Sequence, residues 1–275
     1  MRIYVRLSVI LLLLSLKCYP QSETGNKFVT AIEDNSFFLE ESYNQDERVV
    51  QHISTVYYRT NPTRDIMYSF TQEWPLYKYK HQISYTIPFS FIDRNSLRGI
   101  GDIMINYRYQ LLYRENWACV SPRFSLILPT GNFSKGLGYD VLGYQFDLPV
   151  SKRLSDFWVV HFNAGTTMLP RVKGIKSNND VIKKSLLFYN LGGSIIWLTS
   201  TNFNFMFEFV ENFNSNININ GEIKHSSETI INPGIRSAIN IGKLQIVPGL
   251  SIPLFIDNQV INPGVLFYLS FEHPF

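Results

Sequence analysis

The chain has only two cysteines, Cys18 and Cys119, and its five histidines are scattered with no spacing that suits a metal ion, so no metal or other cofactor is expected. Cys18 falls in an N-terminal export segment. Cys119 is then the one cysteine left to the mature chain, and no internal disulfide can form. Charge is also scarce, at 17% of residues. The formal net charge of +3 equals the contribution of Arg2, Arg6 and Lys17, which no acid accompanies. Beyond Lys17 no basic excess remains, which excludes a nucleic-acid partner. Past the first stretch there is no apolar run approaching the roughly 18 residues of a membrane-spanning helix. A mean hydropathy near zero likewise excludes a multi-helix membrane protein. With 45% hydrophobic and 15% aromatic residues the chain is too apolar for disorder.

What is there begins with Arg2 and Arg6 ahead of the apolar run Leu7–Leu16, the length of a signal-peptide core rather than of an anchor. Residues 1–22 read as that signal. Residues 23–48 read as a periplasmic leader or a plug segment, and 49–275 as the folded body.

The body alternates with period two. Ile83, Tyr85, Ile87, Phe89 and Phe91 share one face of their segment. Phe203, Phe205, Phe207 and Phe209 alternate with Asn204, Met206 and Glu208. Successive strand side chains point to opposite faces, so each such segment has an apolar and a polar side. Twelve segments of this kind fall at about 49–59, 65–76, 80–91, 100–113, 117–128, 140–150, 157–169, 185–198, 202–212, 228–239, 244–256 and 260–275. Most are longer than strands of soluble sheets and suit a tilted membrane crossing.

Three features favour a membrane barrel over a soluble sandwich. Connectors alternate between brief ones (77–79, 114–116, 199–201, 241–243) and long ones (130–139, 170–184, 212–227), the outer-membrane pattern. Trp74, Trp117, Trp158 and Trp197 all lie near brief connectors, as an interfacial aromatic girdle requires. The last segment carries Val265, Phe267, Leu269, Phe271 and the terminal Phe275 on one face, and Phe271 and Phe275 mark barrel closure. The expected fold is therefore all-β, a closed antiparallel transmembrane β-barrel of about twelve strands. An even strand number puts both chain ends on the brief-connector side.

The polar faces then define a lumen. Glu73, Arg108, Arg123, Asp147, His161, Glu208 and Arg236 fall on them, each roughly five to eight residues above the brief connectors and so near mid-membrane. Counting across 151–156 sets Asp147 opposite His161, and counting across 114–116 brings Arg108 level with Arg123. Such a belt serves either as a salt-bridge network filling the bore or as a constriction that selects solutes. The pairs His52/Ser54 and His225/Ser227 each put a nucleophile and a base on one strand face, the minimum for a lipid hydrolase, but no third orienting residue can be assigned and no catalytic residue is named. Gly131–Gly136 has the glycine spacing of a phosphate loop without its Lys-Ser/Thr, so it reads as a surface loop.

Several stretches resemble bacterial outer-membrane barrels labelled meta-pathway phenol-degradation or transporter proteins. They include Glu33–Gln45, Val49–Ser54, Phe70–Pro75, His81–Pro88, Asn106–Gln110, Pro122–Asn132 and Leu148–Leu154. The resemblance runs from about Glu33 to Gly165. It implies a barrel in the outer membrane of a Gram-negative bacterium and passage of a small hydrophobic or aromatic molecule, and it supplies no site residues. The expected function is such passage through a narrow lumen. The alternatives are a closed structural or surface-interaction barrel and, third, an outer-membrane lipid hydrolase. Outer-membrane lipids, a small-molecule solute and the barrel-assembly machinery, engaged through the C-terminal strand, are the expected partners of a monomer.

Overall fold

The computed structural model describes residues 32–33, 36–59, 64–92, 97–113, 117–257 and 260–275. The signal segment 1–22, the first part of the leader and the 114–116 connector lie outside the described residues. The strands are β1 (Val49–Arg59), β2 (Asp65–Leu76), β3 (His81–Ile92), and β4, in two pieces (Leu97–Ile100 and Met104–Tyr109). They continue with β5 (Cys119–Val120 and Arg123–Ile127), β6 (Gly143–Arg153), β7 (Trp158–Ile175), β8 (Val181–Leu198) and β9 (Phe203–Ile217). The set ends with β10 (Ile223–Ser237, resuming at Ile239–Ile241), β11 (Leu244–Ser251 and Leu254–Asp257) and β12 (Val260–Pro274).

Each strand pairs antiparallel with its sequence neighbours, and β12 returns to β1 in unbroken register from Val49↔Pro274 to Arg59↔Gly264. The sheet is a closed twelve-stranded barrel with no free edge. Closure satisfies every strand's backbone groups without help from the surroundings, which is what lipid demands.

The alternation sorts the side chains as expected. On β9, Phe205, Phe207, Phe209 and Phe213 stay 41–46% exposed, while Asn204, Met206 and Glu208 between them are buried. No second layer covers the aromatic ridge, and an exposed apolar face that size needs an apolar solvent. Trp158 and Trp197 are cross-strand partners with rings stacked at 5.9 Å, and Trp197 stacks on Phe205 at 5.7 Å. Trp74 packs on Tyr85 at 5.5 Å, and the Lys152 ammonium sits 5.2 Å over the exposed Trp117 ring. All four tryptophans lie on the outer face, towards the rim that holds the start of β1 and the end of β12.

At that terminal rim the turns are tight. Tyr77 and Lys78 take left-handed φ of 50° and 60° in the four-residue turn that joins Leu76 to its partner His81, and Gly242 has φ 61° in the β10–β11 turn. The Phe275 amide donates to the Arg48 carbonyl at 3.0 Å, tying the last residue to the chain just ahead of β1.

Two expectations fail at the opposite, far rim and at one turn. Residues 170–184 and 212–227 are not long loops. β7, β8, β9 and β10 extend through them and close in tight turns, with Lys176 N to Asp180 O at 3.0 Å and Asn218 N to Glu222 O at 2.9 Å. Beyond the lipid, outward residues need not be apolar, so hydrophobic alternation ends while backbone pairing continues. Among the described residues the one long connector at this rim is 128–142. Asp147 is also not opposite His161. The β6–β7 turn closes at Leu154–Phe157, with Leu154 N to Trp158 O at 2.8 Å, which pairs Ser151 with His161 and Asp147 with Gly165. The Arg108↔Arg123 pairing is observed as expected.

Candidate functional site

All seven belt residues face the bore and are largely buried, from Glu208 at 0% to Glu73 at 9% exposure, with the Arg123 side chain at 11%. They do not chiefly satisfy one another. Most of their partners belong to a segment that precedes β1, of which Ile32, Glu33 and Ser36–Gln45 are described inside the barrel.

That segment forms no ladder of its own, so its backbone groups need partners, and inward side chains supply them. Glu208 accepts from the amides of Phe37 at 2.9 Å and Phe38 at 3.2 Å, and from the Asn232 side chain at 2.6 Å. The Glu40 amide donates to Asn163 Oδ1 at 3.0 Å, and the Ser42 amide to Ser151 Oγ at 2.8 Å. Asn44 and Gln45 amides donate to Gln110 Oε1 at 3.0 Å and Gln82 Oε1 at 2.8 Å. Arg108 spreads its guanidinium over one bend. Its Nε donates to Asn44 Oδ1 at 2.9 Å, Nη1 to Glu41 O at 3.0 Å and Nη2 to Tyr43 O at 2.9 Å. Arg236 Nη2 and Asn204 Nδ2 both donate to Ile32 O, at 2.9 and 2.6 Å.

Charge follows the same plan. Glu40 of the segment meets Arg123 at 2.5 Å, and Asp147 is 3.6 Å from the same guanidinium. Arg108 lies 3.8 Å from Glu73 and 3.9 Å from Glu40. Glu33 pairs with Arg153. His161 uses Nδ1 towards Ser151 Oγ at 2.6 Å and Nε2 towards the Glu33 carbonyl at 3.0 Å. A carbonyl only accepts, so Nε2 carries the proton and Nδ1 accepts from the Ser151 hydroxyl. One relay thus grips the segment at Ser42 and at Glu33.

The apolar side chains are seated by small residues. Phe37 packs against Tyr268 at 5.6 Å, and Phe38 against Tyr57 and Phe255 at 6.2 Å each. A methyl group added at Gly234 or Gly249 would come within 2.4 or 2.5 Å of the Phe37 ring, and one at Gly192 within 2.4 Å of Leu39. These glycines are there for the close approach of the segment.

Above the segment, towards the far rim, lies a cavity of 1150 Å³. Phe38, Leu39 and Glu40 form its floor, Gln145, Asn163, Thr167 and Asn190 line its wall, and Ile127, Leu169, Leu186 and Phe188 form a collar. Loop 128–142 folds over one side. Asp102 holds it, accepting from the amides of Gly131 and Tyr139 at 2.9 Å each, while Leu137 is buried beside Gly99 and Gly101.

The two His/Ser pairs are not assembled. His52 Nε2 faces His273 Nε2 at 3.2 Å, and Ser54 Oγ lies 3.3 Å from the Tyr68 hydroxyl. His225 Nδ1 lies 3.1 Å from Ser215 on the neighbouring strand. The Ser151/His161 pair does have nucleophile–base geometry, but both residues are buried beneath the segment at 0% and 2% exposure. Sequence reasoning missed Glu40, Gln82, Gln110, Ser151 and Asn163 as contributors. For the four residues of the barrel wall the signal was only a polar side chain on an inward face, and Glu40 lies in the segment, which has no alternation to read.

No protein-family model matches this chain, and no curated protein sequence matches it. Solved structures do. An outer-membrane channel from Pseudomonas putida F1 superposes with a TM-score of 0.63 at 13% identity, over 87% of this chain and 100% of that one. The NanC porin gives 0.51 at 9% identity over 80% and 98% of the two chains, and the KdgM porin 0.50 at 10% over 82% and 99%. The chain has the fold of the outer-membrane β-barrels.

Proposed function

We propose that this protein is an outer-membrane channel for a small molecule, closed in this state by its own residues 36–45. The observation that carries the reading is the floor of the 1150 Å³ cavity, which is the segment itself rather than the barrel wall. A cavity of that size exceeds what bore-filling alone requires and is on the scale of ligand sites. The terminal rim, with its tight turns and tryptophans, is the periplasmic side, and the cavity opens to the exterior. The apolar collar above an amide- and hydroxyl-lined wall supports a small hydrophobic or aromatic solute carrying a hydrogen-bonding group. The belt is the seat of the plug. Export through residues 1–22, insertion by the assembly machinery through β12 and a monomeric state complete the reading.

The test is conductance in planar bilayers of the full chain and of a variant lacking residues 36–45, each checked for heat-modifiable migration as a sign of a folded barrel. The variant is expected to conduct steadily and the full chain only in rare openings. Equal silence from two folded barrels would overturn the channel reading in favour of a closed structural barrel. That alternative draws on the density of bonds around Arg108.

A further inference from the structure

We propose that the outer wall of β8–β10 near the far rim is a binding site for a phosphorylated glycolipid of the outer leaflet. The inference rests on the membrane orientation given above but not on conduction. On β8, Leu186 is buried in the bore at 1% exposure, while Leu187 and Tyr189, which share the alternate face, are 43% and 52% exposed and point outward. With Phe213 of β9 they form the apolar side of a second, external groove of 400 Å³, whose other side is Ser215, His225 and Ser227. The groove runs across the strands, with apolar side chains on β8, hydrogen-bonding ones on β10, and Phe213 and Ser215 of β9 between them.

The groove itself stands at the height of a lipid boundary. From Trp197 to Leu187, about ten residues at 3.3 Å each and a tilt near 40° rise roughly 25 Å, the height of the apolar band of such barrels. Lys183 stands roughly 10 Å further out, at headgroup level. Its cross-strand partner is Lys173, a like-charged pair that is unfavourable on a bare sheet. Arg171 is beside them at a bulge, with φ 56° and its amide directed to Ser185 Oγ at 3.4 Å. Lys173 meets Asp140 at 2.5 Å, but among the described residues neither Arg171 nor Lys183 has an ion-pair partner. Three cations beyond an aromatic edge, above a groove of 400 Å³ lined by both apolar and hydrogen-bonding side chains, complement a phosphate ester on an amphiphilic glycolipid.

The test uses the full chain in detergent, titrated with bisphosphorylated lipid A, with lipid A stripped of both phosphates, and with inorganic phosphate, and read by native mass spectrometry. Wild type is expected to retain the bisphosphorylated lipid at least tenfold more tightly than the stripped one, and R171Q/K183Q to lose that preference while keeping its heat-modifiable fold. Inorganic phosphate should compete weakly, because the groove supplies the remaining affinity. Equal retention of the two lipids by wild type, or an unchanged preference in R171Q/K183Q, would overturn the site. A silent channel that still discriminates between the lipids would sink only the channel reading, and a conducting one that does not would sink only this site.

Discussion

Arg108→Ala should unseat the inner segment while leaving the barrel closed. The guanidinium makes three charged hydrogen bonds, all to residues 41–44, and stands between Glu73 and Glu40. Its loss strips the bend of its donors and takes the near counter-charge from Glu73, while Glu40 keeps Arg123. Removing one partner of a buried, hydrogen-bonded charge cluster costs about 3–5 kcal/mol. Strand pairing around Arg108 is backbone work, so most of that cost falls on the segment's bound state. At 1.36 kcal/mol per decade, the fraction of molecules with the segment out should rise roughly 150- to 5000-fold. The assay is the rate at which a maleimide labels Ser42→Cys, a position with 0% exposure, with and without Arg108→Ala. Arg108→Lys keeps the charge but not the fork and should fall between. An unchanged labelling rate in a folded Arg108→Ala barrel would refute the reasoning, because it would mean that the segment's grip lies elsewhere.

Other outcomes follow from the same contacts. Glu208→Gln keeps one acceptor for the Phe37 and Phe38 amides but loses the charge, and should raise Ser42→Cys labelling by about tenfold, the equivalent of one charged hydrogen bond weakened by roughly 1.4 kcal/mol. Gly249→Ala puts a methyl group 2.5 Å from the Phe37 ring and no nearer than 3.3 Å to the wall at Tyr268, and should accelerate labelling with little change in barrel melting. Asp102→Ala removes two amide acceptors from loop 128–142, and limited proteolysis should then cut that loop first. Ser54→Ala and Ser227→Ala should leave phospholipid turnover by the reconstituted protein at background, since neither histidine is aimed at its serine.

The barrel was legible because lipid imposes a rule on every second residue. Phe203–Phe209 and Val265–Phe271 carry it plainly, and the inward parity of Glu73, Arg108, Arg123, Asp147, His161, Glu208 and Arg236 came with it. The rule stops where lipid stops. The lysine-rich end of β8 and the asparagine-rich end of β9 pair as strands without looking like them, so they read as loops. Register was less secure than parity, because a tight turn at Leu154–Phe157 leaves no sequence mark that fixes it to the residue, and Asp147 was thereby set against His161 instead of Gly165. The segment's path was hidden for another reason. Its contacts are side chain to backbone, through Gln82, Gln110, Ser151 and Asn163, and backbone groups are the same at every residue. Phe37, Phe38 and Leu39 announce an apolar stretch, but nothing in their order says that Gly192, Gly234 and Gly249 leave room for them.

Whether the segment is the gate can be measured by locking it in place. In the Arg108→Ala background, cysteines at Ser42 and Ser151, whose amide and hydroxyl lie 2.8 Å apart, would join the segment to β6 on oxidation. Conductance in a planar bilayer should fall to baseline when the pair is oxidised and return when a reductant is added. Current of the same size through the oxidised, cross-linked barrel would contradict the account.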